Sequence, residues 1–326
     1  MLDNVIFSAN AVAPLIVLIF FGMFLKTRQK LFANPKEFFT NLERFVFNIA
    51  LPVFIFNEIA QAEVDRVFDA GLVLYCVLAI IVLCVLLMII TPLFIKDKKM
   101  RGAFIHGVFR PNFALLGVPL VGILTDGAGS ATAALILSFV VPLLNILGVV
   151  ILSVNSGDEV DSENSIVSAD RIKKILKEIA GNPLIRAIVV GLPFMIFNIG
   201  LPDFIQRSIN HVGNTSAPLA LISLGAGVDL QVLKTKIKLS FTAALMKTVL
   251  CPLLFVTPAI LMGFRGEALA VIYVLFAAPS AVATYVMAKN MNSDAELAGQ
   301  ILALTTVICP ATIFLGSLTL ISIGVL

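Results

Sequence analysis

Apolar stretches of roughly 20 residues recur along the whole chain, separated by short clusters of charged and turn-forming residues. An α-helix of that length crosses the hydrocarbon core of a bilayer, which is about 30 Å thick. Hydrophobic residues make up 59% of the sequence and charged residues 13%, whereas soluble domains are about 45–50% apolar and 25% charged. The sequence therefore predicts an all-α polytopic membrane protein, with no segment left for a separate water-soluble domain.

Charge clusters and turn residues divide the chain into ten predicted transmembrane spans. These cover residues 7–25, 40–60, 70–95, 103–123, 131–153, 183–200, 213–230, 239–262, 267–288 and 297–325. Lysine and arginine are concentrated in alternate connections, at residues 26–36, 96–101, 171–177, 234–238 and 289. By the positive-inside rule these connections are cytoplasmic, which predicts a multi-pass protein of the cell membrane with both termini outside. Residues 1–10 contain no Lys or Arg, so we expect no cleavable signal peptide and a retained first span.

The connection at residues 154–182 is longer than the others. It begins with acidic and polar residues and ends in the basic amphipathic stretch 171–177. We interpret it as a cytoplasmic linker with a short surface helix. The predicted organisation is thus a first unit at residues 1–153, the linker at 154–182, and a second unit at 183–326.

The prolines indicate that the two units are repeats. Five pairs recur in order at offsets of 166 to 169 residues: Pro14 with Pro183, Pro52 with Pro218, Pro92 with Pro258, Pro111 with Pro279, and Pro142 with Pro310. Each unit holds five spans, and because five is odd the second unit enters the membrane upside down. The pattern predicts two inverted five-helix repeats, a construction typical of secondary transporters.

The fourth and ninth spans contain residues that break helices. Pro111 and Pro119 lack the N–H group that a helix interior needs, and Gly117 loosens the turn between them. In the ninth span, Pro279 and Ser280 stand at the positions equivalent to Pro111 and Asn112. We therefore predict that helices 4 and 9 are broken and cross each other near the middle of the membrane. A half-helix that begins there offers free N–H groups to an anion. Simple kinks at packed small residues are the alternative interpretation.

Two basic residues lie deep within predicted spans. Arg110 precedes the first break, and Lys247 lies midway along the eighth span. A charge at such depth is costly and usually serves a function. The carboxylates considered as counterparts all fall near span ends, namely Glu58, Asp126, Asp229 and Glu267. The pattern favours an anionic substrate over a Na⁺/H⁺ antiport mechanism. Alternatively, Lys247 snorkels and Arg110 caps backbone carbonyl groups.

Residues for metal binding or enzyme chemistry are sparse. The four cysteines lie in apolar stretches without a CxxC pair, and the chain has only two histidines. His106 is interpreted as structural rather than as a proton relay. No nucleophile and base pattern is evident. We expect no enzyme activity, no metal or other cofactor and no nucleic acid partner, and we leave proton or sodium coupling open.

Several segments resemble a known family. They are Pro14-Leu with Gly22, Arg44-Phe-Val with Leu51-Pro52, Asn182-Pro183, Ser223-Leu-Gly225, Ala288-Lys289, and above all Pro111-Asn112 followed by Gly117-Val-Pro119-Leu. At these residues the chain resembles the auxin efflux carrier family, which includes the plant PIN exporters and bacterial malate or malonate permeases.

The resemblance implies a fold, a motion and a substrate site. Helices 4 and 9 of two inverted five-helix units would cross at the site. Spans 1, 2, 6 and 7 would form a scaffold that dimerises, and spans 3–5 and 8–10 a transport domain that moves like an elevator. Asn112 would bind the substrate carboxylate. With Ser138 and Asn145 of the fifth span, the predicted substrate-binding residues are Arg110, Pro111, Asn112, Gly117, Ser138, Asn145, Lys247, Pro279, Ser280 and Thr284.

The leading hypothesis is a secondary active transporter for a malate- or malonate-like carboxylate. Its expected partners are this small organic anion, the lipid bilayer and a second copy in a homodimer. The short connection between spans 5 and 6 differs from the long loop of many plant members, which argues against auxin. The alternatives are an anion channel that uses the same helix crossing, a carrier for an auxin-like hydrophobic monocarboxylate, and, last, a membrane sensor.

Overall fold

The fold was analysed in a computed structural model. It describes residues 2–28, 32, 34–62, 69–155, 181–228 and 236–326, with the backbone alone at residues 2–12 and 15. Within these ranges every regular element is helical. Most of the predicted linker, including the amphipathic stretch 171–177, lies outside the described residues, as do Asp229 and Lys234.

The helices coincide with the predicted spans, and α9 lies between two of them. In chain order they are α1 (Leu2–Thr27), α2 (Pro35–Phe45), the π-helical turn π1 (Val46–Ala50), α3 (Leu51–Ala60), α4 (Ala70–Ile90), a 3₁₀ turn (Thr91–Leu93), α5 (Lys98–Phe109), π2 (Phe113–Gly117), α6 (Val118–Leu124), α7 (Ser130–Val154), α8 (Pro183–Ile196), α9 (Asp203–Gly213), α10 (Ser216–Gly227), α11 (Ile237–Leu245), π3 (Met246–Leu250), α12 (Cys251–Leu261), α13 (Gly266–Ala277), α14 (Val282–Asn290) and α15 (Ala295–Ser322).

Five helical stretches of the described chain are long and apolar enough to cross a bilayer. They are Pro35–Ala60, Ala70–Leu93, Ser130–Val154, Ile237–Leu261 and Ala295–Ser322. Shorter apolar helices occur at Ile16–Thr27, Phe113–Leu124, Pro183–Ile196 and Gly266–Ala277. Many large apolar side chains on these helices are exposed, as suits a surface that faces lipid.

Two helices are interrupted where the proline pattern predicted. The first ends at Phe109 and resumes at Phe113, and the second ends at Ala277 and resumes at Val282. The helical region is disfavoured for the residue before a proline. Arg110, before Pro111, is accordingly extended, with φ −90° and ψ 104°.

Other prolines leave their helices continuous. Pro119 lies where π2 passes into α6, inside the continuous helical stretch Phe113–Leu124, so it adds no second interruption. Pro14, Pro142 and Pro310 lie inside unbroken helices. Proline alone therefore does not break a helix in this fold.

Glycines permit two close helix contacts. A Cβ atom added at Gly22 of α1 would lie 2.0 Å from the carbonyl oxygen of Ile222 in α10. One added at Gly225 of α10 would lie 1.9 Å from the carbonyl oxygen of Ile19 in α1. Helix α8 similarly packs on α3, where a Cβ at Gly191 would lie 3.0 Å from Ile59 Cγ2. These contacts join the two predicted units.

The interrupted helices occupy the interior of the protein. Every residue from Leu269 to Ala277 of α13 is buried, as is every residue from Gly102 to Phe109 of α5. The backbone that the interruptions leave without helical hydrogen bonds is therefore surrounded by protein, the condition under which irregular backbone persists at membrane depth.

Candidate functional site

The two interruptions contact each other through their backbones. The Asn112 N–H donates to the Pro279 carbonyl oxygen at 2.7 Å, and the Ala281 N–H donates to the Arg110 carbonyl oxygen at 3.2 Å. Pro111 and Ser280 thereby form an isolated antiparallel bridge. Four backbone groups of the two interruptions, two N–H groups and two carbonyl oxygens, are thus paired across the contact.

Ser280 fixes the second interruption to its surroundings. Its Oγ donates to the Gly107 carbonyl oxygen of α5 at 2.5 Å. Its backbone N–H donates to Thr305 Oγ1 of α15 at 3.2 Å. Because Ser280 is fully buried, these hydrogen bonds hold the interruption firmly between α5 and α15.

A cavity of about 280 Å³ lies beside the contact between the interruptions; we call it the central cavity. Its wall consists of Glu43, Phe47, residues 110–115, Val141, Leu144, Asn145, Asn182, Leu184 and residues 281–283. These residues come from elements of both predicted units. The site therefore exists only in the folded chain.

Two helices have their N-termini at the central cavity. Residues 113–115 begin the helical stretch Phe113–Leu124, and Val282 and Ala283 begin α14. The first N–H groups of a helix have no intrahelical partner, and the helix dipole is positive there. The cavity wall therefore favours negative charge.

Arg110 lines the cavity and is held by neutral groups. Its Nη2 donates to Asn145 Oδ1 at 2.6 Å, and its Nη1 lies 3.4 Å from the Leu144 carbonyl oxygen and 3.2 Å from Met287 Sδ. The residue is 8% exposed. Neither of the ion pairs in the described part of the chain, from Lys236 to Asp294 and to Glu296, includes Arg110. Its positive charge therefore remains available to an anion.

Asn112 combines backbone and side-chain roles. Its carbonyl oxygen accepts from the N–H groups of Leu116 and Gly117 at 3.2 and 3.1 Å, which starts π2. Its side chain is 4% exposed, and its Nδ2 has no hydrogen-bond partner among the described residues. An unpaired buried amide is unfavourable, so this donor is suited to a ligand in the adjoining cavity.

The opposite wall contains residues that sequence reasoning missed. Glu43 of α2 and Phe47 of π1, four positions apart, both line the cavity, together with Asn182, which caps α8. The prediction considered carboxylates near span ends and overlooked Glu43. Its position inside the predicted span 40–60 was the available signal, because ionisable residues within spans are usually functional.

The structure distributes the predicted site residues between the cavity and its surroundings. Four of them line the central cavity, namely Arg110, Pro111, Asn112 and Asn145. Pro279 and Ser280 form the contact with Pro111 and Asn112. The other four, Gly117, Ser138, Lys247 and Thr284, do not appear in the wall of the central cavity.

Lys247 and Thr284 are nevertheless unusual. Lys247 lies in π3 with 0% exposure, and its Nζ has no hydrogen-bond partner among the described residues. Thr284 is equally buried, and its hydroxyl also lacks a partner there. Ser138 Oγ, in contrast, donates to Leu135 O at 2.6 Å within its own helix. Gly117 packs against the Phe113 ring, which a Cβ atom would approach to 2.4 Å.

His106 lies behind Arg110, one turn earlier on α5. A Cβ atom added at Gly148 of α7 would lie 2.9 Å from His106 Nε2 and 3.2 Å from Arg110 Nη1. The imidazole is fully buried, outside the cavity wall, and neither ring nitrogen has a partner within the described ranges. Gly148 therefore provides the space in which both side chains pack.

A second cavity of about 460 Å³ lies at the other end of the span that contains Glu43. Its wall is mainly polar and includes Asn57, Glu58, Gln61, Thr132, Asn210, Asn214 and Glu267. Asn57 Oδ1 accepts hydrogen bonds from Gln61 Nε2 at 2.7 Å and from Gln206 Nε2 at 2.6 Å. Cavities with polar side chains in their walls thus lie towards both ends of Pro35–Ala60.

Apolar helices of membrane-spanning length, packed with two interrupted helices beside a cavity whose wall includes charged and amide side chains, define a membrane transporter by the general construction of such proteins. The chain belongs to the membrane transport protein family, that of the auxin efflux carriers, which it matches over residues 7–315. The family resemblance read from the sequence is thereby confirmed. The protein is a multi-pass membrane transporter and not an enzyme.

Individual relatives are distant but match nearly the full length. An uncharacterized transporter of Methanothermobacter thermautotrophicus is 23% identical over 96% of this chain and 98% of its own. One of Methanocaldococcus jannaschii is 24% identical over 91% of this chain and 94% of its own. A proposed malonate transporter of Rhizobium meliloti is 26% identical over 97% of this chain and 96% of its own.

Proposed function

We propose that the protein is a secondary active transporter for a small organic anion, such as a malonate- or malate-like carboxylate, with its substrate site in the central cavity. The observation that carries the proposal is the buried, unpartnered amide of Asn112 in a wall that also contains Arg110 and two helix N-termini. These groups are the donors that a carboxylate needs.

The size of the cavity supports a small substrate. Its volume of about 280 Å³ lies at the lower limit of ligand pockets, which usually measure about 300–1,000 Å³. A short carboxylate fits within such a space, whose wall holds both Arg110 and Asn112. The relative from Rhizobium meliloti whose proposed substrate is malonate adds support from a distant homologue.

We further propose ten spans in two inverted repeats whose helices 4 and 9 cross. The hydrogen bonds between Asn112 and Pro279 and between Ala281 and Arg110 support the crossing. The packing of α1 on α10 and of α8 on α3 supports the repeat. In the proposed scheme these are the contacts of span 1 with span 7 and of span 6 with span 2, which are equivalent when the two units are exchanged.

The walls of the central cavity support alternating access by an elevator motion. Glu43, Phe47, Asn182 and Leu184 belong to spans 2 and 6 of the proposed scaffold, and the remaining wall belongs to spans 4, 5 and 9 of the proposed transport domain. A substrate at such a boundary can move with one domain past the other. The second cavity, at the other end of span 2, would receive it.

The orientation and assembly are part of the same proposal. With the basic connections in the cytoplasm, the start of span 2 and the start of span 6 lie on the cytoplasmic side of the cell membrane, so the central cavity faces the cytoplasm. Both ends of the sequence then lie outside. The scaffold spans would pair in a homodimer, as the family resemblance implies.

The proposal is tested by thermal-shift measurements on the purified protein with mono-, di- and tricarboxylates. A ligand that binds only the folded state raises the apparent stability. We expect malonate or a similar carboxylate to raise the melting temperature of the wild type but not of Asn112→Ala. Asn48→Ala is the matched control, because its amide is exposed and bonds only within its own helix, to the Arg44 carbonyl oxygen.

Flux measurements in proteoliposomes distinguish a carrier from the alternatives. Saturable uptake with counterflow supports the carrier, whereas single-channel currents far above carrier turnover would support an anion channel. Stabilisation by hydrophobic monocarboxylates alone would support an auxin-like substrate. If Asn112→Ala responds to the carboxylate as the wild type does, the proposed site is wrong.

A further inference from the structure

A carboxylate lies in the wall of a cavity that is otherwise suited to anions. Glu43 is half-buried in α2 and faces the central cavity, whose wall also includes Arg110. In the described part of the chain no ion pair involves Glu43. The carboxylate is therefore a feature of the cavity that anion binding alone does not explain.

The charges in the wall nearly cancel. Glu43 and Arg110 are its only charged residues among those described, so the wall has one negative and one positive side chain. A sphere of 280 Å³ is about 8 Å across, no more than the Debye length of about 8 Å at physiological ionic strength. The Glu43 charge therefore acts on any anion in the cavity with little screening and opposes its entry.

A proton on Glu43 removes this opposition. The wall then has the single positive charge of Arg110, which one carboxylate group of the anion compensates. We propose that Glu43 is a proton-binding site of the transporter and takes up one proton from water when a carboxylate anion enters the central cavity, so that anion and proton are bound and carried together. This inference rests on the proposed function and adds the coupling ion to it.

No other titratable group near Glu43, apart from Arg110, lies in the described wall of the central cavity. Helix α10, which packs on α2, and helix α7, across the cavity, contain no charged residue. Outside the cavity wall are Lys36, Glu37 and Arg44 of α2, Arg186 of α8, His106 of α5, and Tyr285 and Lys289 of α14. Among them, His106 is the group close to Arg110, and it needs a separate control.

The test measures the dissociation constant of malonate between about pH 6.5 and 8.5, above the usual titration range of free carboxylic acids. For the wild type we expect the dissociation constant to rise with pH, approaching about tenfold per pH unit, because one proton is taken up with each anion. Glu43→Gln should bind malonate with little pH dependence and at least about tenfold more tightly at the upper end of this range.

Control variants separate this effect from general changes of charge. Glu37→Gln removes an exposed carboxylate of the same helix and should keep the pH dependence of the wild type. Glu43→Asp retains a carboxylate and should also keep it. If the pH dependence persists in Glu43→Gln, or disappears only in His106→Gln, the inference is overturned.

Measuring proton uptake by the wild-type protein gives a test that does not depend on the folding of any variant. Wild-type protein in weakly buffered solution with a pH indicator should take up about one proton for each malonate bound. Malonate binding without proton uptake overturns the inference but leaves the proposed function intact. If malonate and the other carboxylates bind neither the wild type nor Glu43→Gln at any pH, the proposed function fails and this inference fails with it.

Discussion

Replacing Arg110 by Gln should have opposite effects on substrate affinity and on stability. Arg110 is 8% exposed, and its hydrogen-bond partners are neutral: Asn145 Oδ1, the Leu144 carbonyl oxygen and Met287 Sδ. A structural arginine would normally be paired with a carboxylate, because burying a lone charge is unfavourable. Arg110 instead has the features of a ligand-binding residue, whose unpaired buried charge lowers the stability of the protein but serves its function.

The expected loss of affinity follows from the hydrogen bond that would be removed. A hydrogen bond to a charged group contributes about 1.5–3 kcal/mol, which corresponds to a dissociation constant about 10 to 150 times larger. At a ligand concentration of 100 times the wild-type dissociation constant, binding stabilises the wild type by about 2.7 kcal/mol. In Arg110→Gln the same concentration should give only about 0.3–1.4 kcal/mol.

The ligand-free protein should behave differently. A glutamine at position 110 removes a buried charge that has no carboxylate partner among the described residues, so we expect the melting temperature without ligand to stay equal or to rise. Thermal unfolding with and without malonate measures both quantities in one experiment. Arg110→Lys, which keeps the charge, should lose less affinity, and Arg207→Gln, an exposed change on α9, should change neither quantity.

A particular result would refute this reasoning. If Arg110→Gln lowers the ligand-free melting temperature by several degrees while the malonate dissociation constant stays unchanged, Arg110 holds α5 and α7 together and does not bind substrate. The same outcome would weaken the assignment of the central cavity as the substrate site.

Two further changes test the packing around the site. Gly225→Ala should lower the melting temperature, because the new Cβ would lie 1.9 Å from the Ile19 carbonyl oxygen and overpacking usually costs about 1–3 kcal/mol. Gly227→Ala is the control, since position 227 has open space around it. Equal melting temperatures for the two variants would contradict the close contact between α1 and α10. Lys247→Met should raise the melting temperature, because it replaces a fully buried ammonium that has no hydrogen-bond partner among the described residues. A lower melting temperature would mean that Lys247 has a stabilising partner.

The sequence was sufficient where structure depends on neighbouring residues. The helical stretches follow from the length of the apolar segments, which is a local property. The interruptions at Pro111 and Pro279 agree with the bias of the residue before a proline away from the helical region, although other prolines of this chain leave their helices continuous. The structure has both interruptions at the positions that the proline pairs indicate, and Arg110 and Asn112, adjacent to the first of them, line the central cavity.

The depth of a residue within its predicted span did not indicate which of the remaining polar residues line the central cavity. Lys247 lies in the middle of its predicted span, yet it is fully buried outside the central cavity. Glu43 lies near the start of its span and was overlooked, yet it lines that cavity. Depth in a span does not indicate the direction in which a side chain points, because that direction depends on how each helix is rotated against its neighbours.

The sequence by itself therefore determined that the chain is a helical membrane protein with two interrupted helices, since apolar length and helix-breaking residues act locally, and its resemblance to a family of carriers indicated transport. Only the tertiary structure decided which side chains share a cavity. Asn182 and Ala281 meet Glu43 and Arg110 there although long stretches of chain separate them, because helix packing unites residues that no local pattern connects. The presence of a carboxylate and a guanidinium in the wall of one cavity, on which the proposed proton coupling depends, is a property of that packing alone.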